Sequence, residues 1–142
     1  MSRPPRRDQG AAAVELTLLV PIVTLLVAMA VGGGRVWLAR TAVEQAAHSA
    51  ARAATLARGV DAAQAAAQKI FRQNLRQKGI ACQSEKMTID TSGFAVRVGR
   101  SSMVTVRVDC RVNLSDVALP GMPGSMLLSA TARSPLDTYR ER

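Results

Sequence analysis

Histidine, aromatic residues and acidic residues are all scarce in this chain, and each shortage closes off a class of function. His48 is the only histidine, and Cys82 and Cys110 are the only cysteines. With no C-x-x-C pair and one imidazole, the ligand set of a structural zinc site is missing. No Ser-His-Asp set, paired carboxylates, metal cluster or phosphate-cradling glycine loop is present in the pattern. The expectation is a protein that is not an enzyme and that uses no cofactor or metal. Trp37, Phe71, Phe94 and Tyr139 are all the aromatic residues there are. A soluble core built with so few is small and gains from a covalent staple. Asp and Glu number 10 against 19 Lys and Arg, a net charge of +9. The arginines are spread along the chain with no aromatics among them to stack bases, so no nucleic acid is expected as a partner. Two readings of the charge remain: a solvated basic surface, or attraction to lipid headgroups, wall polymers or an acidic partner subunit.

What is abundant is aliphatic, and it is concentrated. The 142 residues suffice for one domain plus an anchor. Residues 1–10 are short, polar and basic, with Arg3, Arg6 and Arg7 against Asp8. From Ala11 to Gly34 the only ionisable residue is Glu15. The uninterrupted part, residues 16–34, is nineteen residues long, or about 28 Å as a helix. That matches a bilayer hydrocarbon core of about 30 Å. Pro21 lies near its start, where a helix in lipid tolerates it, and Trp37 follows at the level where aromatic anchors collect. The expected division is a leader at 1–10, a transmembrane helix at 11–34 and an extracytoplasmic α+β domain at 35–142, with the N-terminus cytoplasmic.

Three readings of the apolar segment compete. A secretory signal would place Leu16 to Val27 in its apolar region and cleave at Ala28-Met29-Ala30. The product would be a secreted or periplasmic binding module. A signal anchor would stay uncut. The third reading starts from Gly10-Ala-Ala-Ala-Val-Glu15: a basic leader, a glycine, a glutamate five residues on, then a long apolar helix. This resembles the site cut by prepilin peptidases, and the resemblance implies cleavage between Gly10 and Ala11. A carboxylate inside a membrane helix costs about 2.5–3.5 kcal/mol or more at mid-bilayer. Glu15 lies one turn from the new amino terminus, where pairing with a free α-amine offsets that cost and sets the axial register between subunits.

Beyond the membrane the pattern is helical and then alternating. Residues 35–58 contain no proline and no glycine, and Ala42, Ala46, Ala50 and Ala54 form one face with Ala39, Val43, Ala47 and Ala51. Before them, Gly32-Gly33-Gly34 serves either as a hinge or as a site of close packing with Ala28 and Ala30. Gly59 ends this helix. Asp61 and Gln64 have the spacing of a capping box, and a second helix is expected from Asp61 to Lys78, with Gly79 as its stop. After Ile80 the period falls to two. Met87 and Ile89 alternate with polar residues, as do Phe94, Val96 and Val98, and then Val104 through Leu114. Pro120 to Gly124 reads as a loop, Met126 to Arg133 as a last strand, and Pro135 as its end. The expected fold is α+β: a long transmembrane helix running into an alanine-rich one, a second helix, and a small antiparallel sheet of 3–4 strands. Cys110 shares the apolar face with the valines, and Cys82 follows the second helix. A disulfide between them is expected in an oxidising compartment, the alternative being two buried thiols.

Three stretches together resemble the TadE-like family of pilus-assembly proteins. They are Gln9 to Glu15 with the apolar run behind it, the helix from Gly34-Arg-Val-Trp-Leu to Ala54, and the end from Leu128 through Ser-Pro-Leu-Asp137 to Tyr139. The resemblance implies a pseudopilin-like component of the tight-adherence (Flp, type IVb) pilus system, processed by a dedicated prepilin peptidase. Gly10 then precedes the cut, Ala11 is the mature N-terminus and Glu15 is the key glutamate. Implied partners are the peptidase, other pilin or pseudopilin subunits, the inner-membrane assembly platform and membrane lipid. Leu16 stands where major Flp pilins have an aromatic, and those pilins are much shorter. The departure points to a minor or accessory subunit.

Overall fold

The computed structural model describes the backbone of residues 8–139 and the side chains of residues 14–139. Most of the expected leader therefore lies outside the described residues. Gly10 and Ala11 are known only as helical backbone.

A single helix, α1, runs from Asp8 to Leu56. Its 49 residues correspond to about 73 Å. It passes unbroken through Pro21 and through the three glycines. Its first half touches almost nothing. Its second half buries Ala39, Ala42, Val43, Ala46, Ala47, Ala50, Ala51 and Ala54, the stripe that a 3.6-residue period places on one side.

Residues 57–59 turn the chain, and α2 (Val60–Gln77) packs along α1. It buries Ala63, Ala67, Phe71 and Leu75. The expected capping box is not made. Gly59 is the N-cap, extended at φ −179°, and the cap carries no side-chain hydrogen bond. Asp61 instead sits inside the first turn, where its charge favours the helix dipole without capping. The other end follows the expectation. Gly79 adopts φ +70°, its N–H reaches Arg76 O at 3.0 Å, and the Ile80 N–H reaches Leu75 O at 3.0 Å. That pair of bonds closes the last turn as a Schellman motif, and it needs the left-handed conformation that glycine adopts without strain.

Three antiparallel strands follow, β1 (Ser84–Asp90), β2 (Ser102–Asn113) and β3 (Ser125–Leu136), in the order β1-β2-β3. In β2 the inward residues Val104, Val106, Val108, Cys110 and Val112 are buried. In the register Val108 lies opposite Met87 and Ala130, and Val106 opposite Ile89 and Ala132. The two helices cover this face, and Phe71 is the largest fully buried side chain. The outer face is polar. The fold is thus α+β, with one layer of helix on a meander.

Two strand expectations are corrected. Phe94, Val96 and Val98 do not form a strand; Ser92–Ala95 is a turn of 3-10 helix, followed by an irregular loop. The cause lies just before it. The Ser92 N–H donates to Asp90 Oδ1 at 3.0 Å, ending β1 in an Asx turn. This bond, and then one from the Ser92 hydroxyl, hold the Asp90 carboxyl below its ordinary range. At Gly93 a Cβ would lie 2.5 Å from the Met103 carbonyl oxygen, so only glycine lets the loop press this close. Phe94 then packs on the core instead of pairing. Pro135 does not close β3, which continues to Leu136 with Pro135 opposite Met103. β3 is an edge strand, where a missing N–H is tolerated.

Candidate functional site

The apolar half of α1 is the most unusual surface of the molecule. Leu16, Leu18, Leu19, Ile22, Val23, Leu25, Leu26 and Met29 are all exposed, Leu25 at 62%. A soluble protein rarely leaves so large a contiguous apolar surface uncovered. This is one N-terminal helix long and apolar enough to cross a membrane, and none of its apolar window is buried by the rest of the chain. Its hydroxyls are satisfied within the helix: Thr17 Oγ1 donates to Val14 O at 2.8 Å and Thr24 Oγ1 to Val20 O at 2.7 Å. No buried side-chain N or O among the described residues lacks a partner.

Glu15 stands at the head of this surface, exposed between Val14 and Leu16. Helical backbone from Asp8 puts Ala11 four residues earlier, about 6 Å along the axis and on the same side. Gly10, Ala11 and Glu15 are therefore gathered within the first turns of one helix. The two cysteines belong to another place. Cys82 and Cys110 are joined by a disulfide across 28 residues, with Cα atoms 5.4 Å apart. The bond ties the chain just after α2 to the central strand. Beside it the Gln83 N–H reaches Arg111 O at 2.7 Å, and Gln83 Nε2 donates to Asn113 Oδ1 at 2.8 Å. His48 is exposed on α1. Among the described residues no three His, Cys, Asp or Glu side chains gather where they could hold a metal ion.

Sequence reasoning missed a groove where α1 leaves its apolar stretch. It has a volume of about 520 Å³ and is walled by Arg35, Trp37 and Leu38 on one side and by Lys78, Ile80 and Val117 on the other. The signal was present in helix length. Two helices joined by three residues pack antiparallel, so counting eighteen residues back from Leu56 brings the end of α2 opposite Leu38. A smaller cavity of about 180 Å³ lies at the far end of the domain, with Arg58, Arg97 and Arg100 around Val60, Phe94 and Leu136.

The glycines now have a place. Gly32 is buried, and a Cβ there would meet Leu119 Cγ at 3.5 Å, whereas Gly33 and Gly34 face open space. Close approach is therefore made by one glycine of the three, to the loop after α3 (Leu114–Val117).

No curated protein and no solved structure matches the chain. Residues 10–52 match the family model described as TadE-like protein. The matched stretch opens at the glycine before Ala11, takes in Glu15 and the whole exposed apolar surface, and stops inside the alanine stripe. Over those residues, about a third of its length, the chain is similar to the TadE-like family.

Proposed function

We propose that this protein is a pseudopilin-like subunit, minor or accessory, in the assembly of a tight-adherence type IVb pilus or a related secretion system. The observation that carries the reading is the exposed apolar helix with one carboxylate at its head, continuous with the stem of a folded domain. In this reading a prepilin peptidase cuts between Gly10 and Ala11. The apolar half of α1 stays in the cytoplasmic membrane, and the disulfide-bonded domain stands outside it, the compartment in which such a bond persists. The apolar surface holds the subunit in lipid before assembly and packs against other pilin-like helices afterwards. Glu15 then acts through its charge. In a medium of low dielectric it seeks the α-amine of Ala11, its own or a neighbour's, and so fixes how far adjacent helices slide. The protein acts by assembly and not by catalysis.

The intact mass of the mature protein from its native host tests the reading. Loss of ten residues is expected. Loss of about thirty would replace it with the secreted binding module cut near Ala30, and an unshortened chain would leave a simple anchor. The register role has its own test. Glu15→Ala is expected to leave insertion and domain folding intact while sharply reducing pilus output. Output equal to wild type would remove Glu15 from the mechanism.

A further inference from the structure

We propose that the groove between α1 and the end of α2 holds the headgroup of an anionic phospholipid, in the leaflet from which α1 emerges. The proposal rests on the reading of α1 as membrane-spanning and adds a lipid preference to it. Depth supports it first. Headgroups occupy about 5–8 Å on each side of the hydrocarbon core. Arg35 and Trp37 follow Gly34 by one and three residues, about 1.5 and 4.5 Å of rise. The mouth of the groove therefore opens at headgroup level, continuous with the apolar surface of α1.

Charge supports it next. Arg35 on α1 and Lys78, the residue that caps the end of α2, both line the groove. The ion pairs of the described residues are Arg40 with Glu44 and Arg72 with Glu85, so neither Arg35 nor Lys78 is neutralised by one. Asp116 is the one carboxylate on the wall, and it accepts a hydrogen bond from the Ser115 hydroxyl at 3.1 Å. Two cations against one anion favour a phosphodiester. The apolar lining agrees. Trp37 is 65% exposed and Leu38 61%, beside Ile80 and Val117. These side chains suit the boundary between acyl chain and headgroup better than water. A space of about 520 Å³ is also in the range that takes a small ligand, about 300–1,000 Å³.

Trp37 is the only tryptophan, so the unmodified full chain reports on this groove. The chain is reconstituted into phosphatidylcholine vesicles holding an equal share of phosphatidylglycerol, with one or the other lipid brominated high on its acyl chains. Quenching of Trp37 then measures which lipid is its neighbour. Brominated phosphatidylglycerol is expected to be enriched about fivefold over brominated phosphatidylcholine. Arg35→Gln with Lys78→Gln should bring the ratio to about one, while Arg97→Gln with Arg100→Gln, removing the same charge far from the membrane, leaves it unchanged. Equal quenching in the wild type overturns the proposal, as does an equal loss in both double variants. An acidic partner subunit as the true occupant would also read as equal quenching. Flotation with the vesicles separates the lipid preference from the membrane reading beneath it: a chain that does not float fails as a membrane protein, and one that floats without lipid preference fails only here.

Discussion

The two halves of α1 share one backbone and use opposite side chains. From Val14 to Val31 the helix carries Leu, Val, Ile and Met, and nearly all of them are exposed. From Ala39 to Ala54 it carries alanine, and Ala46, Ala47, Ala50, Ala51 and Ala54 are entirely buried. Large apolar groups lie outside and small ones inside, the reverse of an ordinary soluble helix. In the proposed membrane setting the solvent accounts for the first half: lipid is as apolar as leucine, so large exposed side chains there carry no hydrophobic penalty. Geometry explains the second. Alanine lets the helix axis approach α2 and the sheet closely, but it buries little area per residue. Most of the stabilisation therefore comes from what packs onto the stripe: Phe71, Leu75 and the valines of β2.

That contrast can be broken most severely at Phe71, which is fully buried. Phe71→Ala should cost about 3–5 kcal/mol in denaturant unfolding of the domain in detergent micelles. Leu25→Ala, a comparable truncation in the lipid-facing half, should leave the same transition where it was. Similar losses in both would mean that the apolar half also packs within the chain. The disulfide comes next. Closing a loop of 28 residues is worth about 3.5 kcal/mol in the chain-entropy model, so Cys82→Ser with Cys110→Ser should lower domain stability by about that amount. A domain this poor in large side chains has little reserve, and the variant should unfold well below the wild type on a thermal scan. The alanine stripe is more subtle. Ala50→Leu adds volume where the exposure is 0% and should cost about 1–3 kcal/mol by overpacking. Val23→Leu in the other half adds volume into lipid and should be silent. A silent Ala50→Leu would show that the stripe does not set the helix-to-sheet distance.

The parts legible in the sequence were those fixed by local pattern. The four-residue recurrence of alanine, the alternation from Val104 and the glycine stop after Lys78 each depend on neighbours in the chain, and the structure follows them. The failures have physical causes that pattern does not carry. Phe94, Val96 and Val98 alternate as a strand would, but the Asx turn at Asp90 and the tight approach of Gly93 to Met103 end the pairing first. Asp61 has the spacing of a cap, but the helix begins one residue earlier, at Val60. The Arg35–Lys78 groove joins residues far apart in sequence, and only the antiparallel return of α2 brings them together. At the head of α1 the spacing of Gly10, Ala11 and Glu15 is local, so the sequence alone places them within two turns of one helix, and the helical backbone from Asp8 agrees with that placement.

The smallest expected effect lies at the border between the halves, where three glycines separate the exposed apolar stretch from the stretch that packs on the domain. Gly32 touches Leu119, at a distance where an added methyl makes an ordinary contact, and Gly33 and Gly34 have nothing within 4 Å. Alanine therefore fits at all three positions. Each substitution should stiffen the helix by up to about 1 kcal/mol where water reaches it, and by less in lipid. If the triplet is only a packing site, Gly33→Ala with Gly34→Ala leaves pilus output at the wild-type level. If α1 must bend there as a subunit passes from bilayer to assembly, the same pair reduces output although folding and insertion are unharmed. Gly32→Ala discriminates further. Because the added methyl meets Leu119 only at ordinary contact distance, a contact role leaves this variant at wild-type output, whereas a hinge role makes it as harmful as the changes at its neighbours. The unbroken helix through residues 32–34 and the single buried glycine favour contact. The expected result is an active Gly33→Ala, Gly34→Ala double variant.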